Sequence, residues 1–172
     1  GTSVRVIDRS YTSIPEVLEE LGTGPVDAAL FDLGLSSIQL DSPERGFSHR
    51  FPGPLDMRFD RSSGKPLHEI LHTISEKQLA DIIYINGGEG RSRSIARAIK
   101  NAGRITTTQE LADAVRSAVR GNPVKPLARV FQALRIHVNS ELNHLVTLLG
   151  GMHTWTGHGS RIAILTFHST ED

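Results

Sequence analysis

The sequence predicts an α/β fold in which an open parallel sheet is interrupted by a mostly helical block. Three observations carry that expectation. Residues 26–31 form a short, mostly apolar run that ends on Asp32, the form of a strand in a parallel sheet covered on both faces. Residues 161–167 repeat the form and run directly into His168 and Ser169. Between these runs the apolar residues recur every three or four positions, the period of helices packed on one face.

The elements follow in order. Val4 and Val6 alternate with polar neighbours across residues 3–8, which suits a strand closed by Asp8. Ile14, Val17, Leu18 and Leu21 then fall at helical spacing, and Gly22-Thr23-Gly24-Pro25 stops that helix. With the run ending at Asp32, this is a βαβ unit. Residues 34–65 are irregular and rich in Gly, Pro, Ser and Arg, too long for a simple connection, and read as a functional loop. Ser75-Glu76-Lys77-Gln78 and Thr107-Thr108-Gln109-Glu110 read as capping boxes: the first hydroxyl accepts an orphan backbone N–H and the fourth side chain reaches back. Ile95, Ala98 and Ile99 give a further short helical face between them. Gly121 is expected to close the helix begun at Thr108, with a break at Pro123 and Pro126. The spacing of Leu127, Val130, Phe131, Leu134, Val138, Leu142, Leu145 and Leu149 predicts one long helix that Gly150-Gly151 ends.

Composition excludes several classes. The 172 residues hold 38% apolar residues and no apolar run long enough to cross a bilayer. No basic segment precedes an apolar stretch at the N-terminus, so no secretory signal is read, and with no Cys there are neither disulfides nor thiolate metal sites. The expected compartment is the cytoplasm, or an organelle matrix in a eukaryote. Nineteen basic and nineteen acidic residues cancel, which argues against a protein held on nucleic acid by bulk charge. The arginines nevertheless crowd the middle of the chain, and Arg91, Arg93 and Arg97 are the candidate nucleic-acid patch; a solvated helical face explains the same cluster.

Ligands of open α/β sheets gather at the carboxyl ends of the strands, where Asp8, Asp32 and His168 fall. After Asp32, Gly34 permits a tight backbone path, while Ser36, Ser37 and Gln39 add hydroxyl and amide groups able to hold a polar small molecule or a base edge. Two charged segments follow, Glu44-Arg45-Gly46-Phe47-Ser48 and Gly53-Pro54-Leu55-Asp56-Met57-Arg58. Their opposite charges suit salt bridges that order the loop. They equally suit Arg45 and Arg58 on phosphates with Phe47 or Met57 against a base or cofactor. His68 and His72 stand at i, i+4, but with no intervening Glu of the zincin kind and no third ligand, so no metal site is read. The serines lie in no G-x-S-x-G elbow, and Gly87-Gly88-Glu89-Gly90 is better read as a turn between helices than as a phosphate loop.

Five blocks in order resemble those of the ribosomal RNA small-subunit methyltransferase H family: residues 32–41, 44–48, 53–58, 131–142 around Phe131-Gln132-Ala133-Leu134-Arg135-Ile136 and Val138-Asn139-Ser140-Glu141-Leu142, and Phe167-His168-Ser169 with Glu171-Asp172. The resemblance implies a partial Rossmann-like methyltransferase sheet with an inserted helical domain. Residues 1–42 would open the methyltransferase domain, 43–66 form an active-site loop, 67–126 the insertion, and 127–172 the return. It implies an S-adenosyl-L-methionine-dependent enzyme that methylates N4 of a cytidine in small-subunit ribosomal RNA or the 30S particle. Tyr11, Asp32 and Gln39 match the family's cofactor contacts, with Tyr in a slot that is usually Phe. Asp32 is the candidate base or hydrogen-bond orienter, and His168 and Ser169 would hold the cytosine edge. The resemblance implies a glycine-rich cofactor segment and a ribose-binding acid that this sequence does not show upstream of Ser3, and a basic helix after the position of Asp172, so a fragment is expected. Asp8 is not given the ribose-binding role, because the spacing from Tyr11 to Asp32 fits a later strand. The rival expectation is a non-catalytic RNA-binding or ribosome-assembly protein that keeps the fold. Oligomeric state is left open.

Overall fold

The run ending on Asp32 is a strand, β1 (Val26–Asp32), lying parallel to β2 (Thr156–Leu165). The computed structural model describes residues 3–166. From Ala28↔Arg161 to Asp32↔Leu165 the register is regular, but Val26 faces Thr156, so β2 bulges between. Ser160 closes the bulge: its Oγ donates to the Val26 carbonyl at 2.6 Å and accepts from the Gly157 N–H at 2.9 Å. These strands belong to a unit made of Gly1–Gly34 and Glu141–Asp172, together with α1 (Ile14–Glu20) and α8 (Glu141–Trp155). Its core joins Phe31 and Leu33 to Leu145, Leu148 and Trp155, with Ile14, Leu18, Ile162 and Ile164 packed against them.

Only one face of this sheet is covered among the described residues. Leu30 and Leu165, on the other face, are 68% and 48% exposed, so the expectation of burial on both faces is not met. Nor do residues 3–8 pair as a strand: Val4 and Val6, the alternating residues that suggested it, are 85% and 94% exposed. Alternation marks a segment able to form a strand, but a strand also needs an edge to bond to.

The second unit, Leu35–Ser140, is helical. It comprises α2 (Ser37–Leu40), α3 (Leu67–Thr73), α4 (Glu76–Gly87), α5 (Ser92–Asn101), α6 (Thr108–Ala118) and α7 (Val124–Val138). Both expected capping boxes form: Ser75 with Gln78 opens α4, and Thr107 with Glu110 opens α6. Leu79 and Ile83 of α4, Ile95 and Ile99 of α5, Leu111 and Val115 of α6, and Leu127, Val130, Phe131 and Leu134 of α7 meet in one core.

The predicted long helix is in fact two, α7 and α8, separated at Asn139-Ser140, where Ser140 has φ 51°. Apolar spacing runs across the break unchanged, so periodicity could not reveal it. Gly150 and Gly151 lie inside α8, which continues to Trp155. Two glycines cost a helix interior about 1 kcal/mol each, not enough to end one that buries Leu145, Leu148 and Trp155. Likewise α6 ends at Ala118, before Gly121, and α7 starts at Val124 with Pro126 in its first turn, where the missing N–H leaves no bond unmade.

Gly87 lets α4 approach α7 closely: a Cβ there would stand 2.6 Å from the Arg129 carbonyl oxygen and 3.1 Å from the Ala133 methyl. Backbone cannot give way as a flexible side chain can. Gly87→Ala is therefore expected to lower unfolding stability by about 1–3 kcal/mol through overpacking, read as a drop in urea midpoint.

Candidate functional site

Asp32 is the last residue of β1, opposite Leu165, and the next backbone N–H, from Leu33, still donates to the Leu165 carbonyl at 3.3 Å. Strand alternation decides where each side chain goes: Phe31 and Leu33 turn into the core and Asp32 turns out to solvent. Among the described residues its carboxylate makes neither ion pair nor hydrogen bond. Tyr11 opens a short 3-10 turn, Tyr11–Ser13, capped by the Ser10 hydroxyl, and its ring packs edge-on against Phe31 at 6.1 Å and His144 at 6.3 Å. The structure thus brings Tyr11 against the neighbour of Asp32. His168 and Ser169 lie outside the described residues.

Gln39 has a local task that its ligand-binding assignment did not include. Ser36-Ser37-Ile38-Gln39 has the same pattern as the two capping boxes already noted, and it forms one. The Ser36 Oγ accepts from the Gln39 N–H, and Gln39 Oε1 accepts from the Ser36 N–H, each at 3.2 Å. The amide oxygen is committed to opening α2, which leaves Nε2 to donate outward.

Within the loop of residues 43–66, residues 45–49 and 55–59 are packed, while residues 60–65 are exposed. Phe47, Leu55 and Met57 are buried in the helical core, and a Cβ on Gly46 or Gly53 would run into the backbone oxygen of Pro54 or Pro43. Asp56 is buried and takes the Arg58 guanidinium in two bonds, at 2.7 and 3.0 Å, with Arg61 at 3.3 Å. Arg45 donates to the carbonyls of Arg58 and Phe59 at 2.9 and 2.8 Å, with its guanidinium 5.7 Å from the Phe47 ring centre. Of the two alternatives the sequence allowed, these bonds favour the loop-ordering one for Arg45 and Arg58, and Phe47 and Met57 serve the core. The Thr108 hydroxyl, buried, donates to the Phe51 carbonyl and accepts from the Gly53 N–H, pinning the loop to the start of α6. His68 is likewise structural, with its Nδ1 3.3 Å from the Leu55 carbonyl oxygen.

Charge is divided between the units. Leu35–Ser140 carries 16 Lys and Arg against 10 Asp and Glu, a net of +6; the other unit carries 3 against 9, a net of −6. The zero total conceals two opposite fields. Arg91, Arg93 and Arg97 are all exposed around the start of α5, with Arg97 3.4 Å from Glu76 in a solvated pair. Behind them Glu89 is buried, accepting from the Arg91 N–H at 3.0 Å and facing Arg129 at 3.4 Å. A carboxylate beneath a helix N-terminus steadies that end of α5. Among the described residues no group of three or more His, Asp or Glu is placed to hold a metal ion, and no helix is long and apolar enough to cross a membrane.

The profile of the MraW methylase family matches residues 1–172. The chain belongs to that family. Among its relatives, the ribosomal RNA small subunit methyltransferase H of Coprothermobacter proteolyticus is 44% identical over 176 residues, covering 99% of this chain and 58% of that protein. The protein of the same name from Acinetobacter baylyi is 46% identical over 170 residues, covering 98% and 56%, and that of Dehalococcoides mccartyi 41% over 174, covering 100% and 50%. The chain spans about half the length of the curated relatives it matches. Membership agrees with the resemblance drawn from the five blocks, and the mixed architecture is that of a partial Rossmann-like methyltransferase fold.

In this MraW methylase chain, Asn139, Thr108 and Glu89 carry weight that no motif announces. Each is a polar residue bonded to a segment distant in sequence, Asn139 to Phe59, Thr108 to Phe51 and Glu89 to Arg129, and only the folded chain shows what it holds.

Asp56 generates a pH prediction. Burial opposes its ionisation, but the Arg58 side chain, the Arg58 N–H and charge, and Arg61 outweigh that, so its carboxyl sits below the ordinary value. A depressed folded-state value means stability present above the unfolded pKa, about 3.9, and lost as pH falls through the lower folded value. Urea titrations across that acid range should show stability falling with pH, and in Asp56→Asn that part of the fall should be absent. The variant should also be less stable at neutral pH by about 1–3 kcal/mol, the cost of taking the charged acceptor from the half-buried Arg58.

Proposed function

We propose that this chain forms part of an S-adenosyl-L-methionine-dependent methyltransferase that transfers a methyl group to N4 of a cytidine in small-subunit ribosomal RNA. The observation that carries the reading is the exposed carboxylate of Asp32 at the carboxyl end of β1, without an ion pair or hydrogen bond among the described residues, in a chain of this family. Strand ends of open α/β sheets are where such folds bind ligands.

Cytosine N4 is a weak nucleophile because its lone pair is delocalised into the ring. The Asp32 carboxylate accepts one amino hydrogen, which orients the nitrogen and gives its proton a place to go as the N–C bond forms. When bound, S-adenosyl-L-methionine would supply the methyl from a positively charged sulfur, whose S–C bond breaks as the N–C bond forms and which leaves as a neutral thioether. The donor set suits such a molecule: Asp32 can accept from an amino or ammonium group, Gln39 can donate through Nε2, and Tyr11 offers an aromatic surface. His168 and Ser169 are assigned to the cytosine edge. Residues 43–66 serve as the active-site loop, 67–126 as the inserted domain, and Arg91, Arg93 and Arg97 meet phosphates. The +6 helical unit supports that last assignment. Arg45 and Arg58 enter as residues that shape the loop the RNA meets.

Purified protein, labelled S-adenosyl-L-methionine and unmodified small-subunit particles test the reaction. Label is expected on cytidine, and Asp32→Asn should cut transfer by about a hundredfold or more while RNA binding persists. RNA binding without transfer, together with no calorimetric heat from the methyl donor, would instead support a non-catalytic RNA-binding role. Replacing Arg91, Arg93 and Arg97 by Gln should flatten the salt dependence of RNA binding by roughly one unit of slope for each phosphate no longer neutralised. An unchanged slope would return them to an ordinary solvated face.

A further inference from the structure

Among the described residues two that are not glycine adopt the left-handed backbone conformation, Met57 at φ 62° and Ser140 at φ 51°. They are 83 positions apart, and the residue beside one of them bonds the backbone of the other. Asn139 precedes Ser140 directly, and its Nδ2 donates to the Met57 carbonyl at 2.7 Å while its Oδ1 accepts from the Phe59 N–H at 2.7 Å. The same Nδ2 donates to the Arg135 carbonyl at 2.9 Å, which fixes the amide to the last turn of α7.

We infer that Asn139 is a positioning residue for methyl transfer, acting through the backbone of Met57 and Phe59; this rests on residues 43–66 being the loop at which the reaction occurs. Left-handed backbone at a side-chain-bearing residue persists only where the surroundings over-determine it, and such residues cluster at functional sites. Burial of Met57 does not itself call for the conformation, since its neighbour Leu55 is equally buried with φ in the ordinary range. What the turn at Met57 sets is the direction in which the chain leaves the core after Phe59, toward the exposed residues 60–65. Asn139 also sits where the chain passes from the helical unit into α8. Chemistry leaves little choice of residue. Asp keeps the acceptor and loses both donations, Ala loses all three bonds, and Gln is one methylene too long to hold the same three atoms.

The test compares Asn139→Asp, Asn139→Ala and Ser75→Ala in the intact protein, the last removing a capping hydroxyl from α4 as a control for stability alone. Amide exchange should show Phe59 losing protection in the Ala variant and keeping it in the Asp variant, with Leu111 protected in both. In labelled transfer to small-subunit particles, both Asn139 variants should lose about a hundredfold in kcat with KM for the particle within about twofold, the pattern of a displaced reacting geometry. Ser75→Ala should retain its kcat at a comparable fall in melting temperature. The inference is overturned if Phe59 exchange is unchanged in Asn139→Ala, or if the kcat loss merely follows melting temperature as in the control. Should the unaltered protein transfer no methyl, the functional reading fails; the positioning role in catalysis then falls with it, and Phe59 exchange separately decides whether the clamp exists.

Discussion

The helical unit depends on satisfying the backbone of five residues, 55–59, that are buried or half-buried yet belong to no helix or strand. Buried N–H and C=O groups without partners are costly, so a segment with no secondary structure of its own must find its bonds elsewhere. All ten groups do. Leu55 N–H donates to Thr106 and its carbonyl accepts from His68; Asp56 N–H donates to Pro54 and its carbonyl accepts from Leu67; Met57 N–H donates to Arg45. Asn139 meets the Met57 carbonyl and Phe59 N–H, the Asp56 carboxylate takes the Arg58 N–H, and Arg45 donates to the last two carbonyls. The strip is where the loop, α3, the entrance to α6 and the end of α7 are joined. Its charged residues therefore build the scaffold before they can meet any ligand.

That division of labour explains the charges. Asp56, Arg58 and Arg45 are drawn into internal bonds, while Arg91 and Arg93 stay in solvent above a buried acid, Glu89, that steadies their helix. A sum over the chain treats these groups alike and returns zero. The separation into +6 and −6 appears only when the boundaries at Gly34 and Ser140 are known, and the first 34 residues and last 32 are far apart in sequence. A charged partner responds to the local field, so the charge of each unit tells more than the sum over the chain.

What the sequence made legible was local. Capping boxes at Ser75 and Thr107 are decided by residues three positions apart, and the structure has both; the one at Ser36 has the same signature and was masked by reading Gln39 only as a ligand. The run ending at Asp32 was legible because a short apolar run closed by an acid has the form of a strand, although of its residues only Phe31 is buried. Pairing was not, since alternation at Val4 and Val6 says nothing of a partner edge, and those residues pair with none among the described residues. The break at Ser140 was hidden for a related reason: its spacing preserves the apolar stripe, and the bond that marks the turn comes from a loop about eighty residues earlier. The position of Asp32 could be read from sequence, whereas Asn139's role needed the fold.

The two units also differ in how they can respond to change. Among the described residues, 21 buried side chains form the helical core and five form the core of the sheet unit. Among the described residues the sheet has two strands, a size with little stability of its own, and α8 and α1 cover a single face of it. Local opening is easiest where buried apolar groups are fewest. Asp32 and Tyr11 stand on the lightly supported unit, and the Asp56–Phe59 strip stands on the heavily supported one. A bound molecule that touches Tyr11 and Asp32 would add interactions where the chain has fewest, so ligand binding should steady the sheet unit more than the helical one. The unit with the larger core among the described residues carries the basic surface and the loop, and the unit with the smaller core carries the carboxylate.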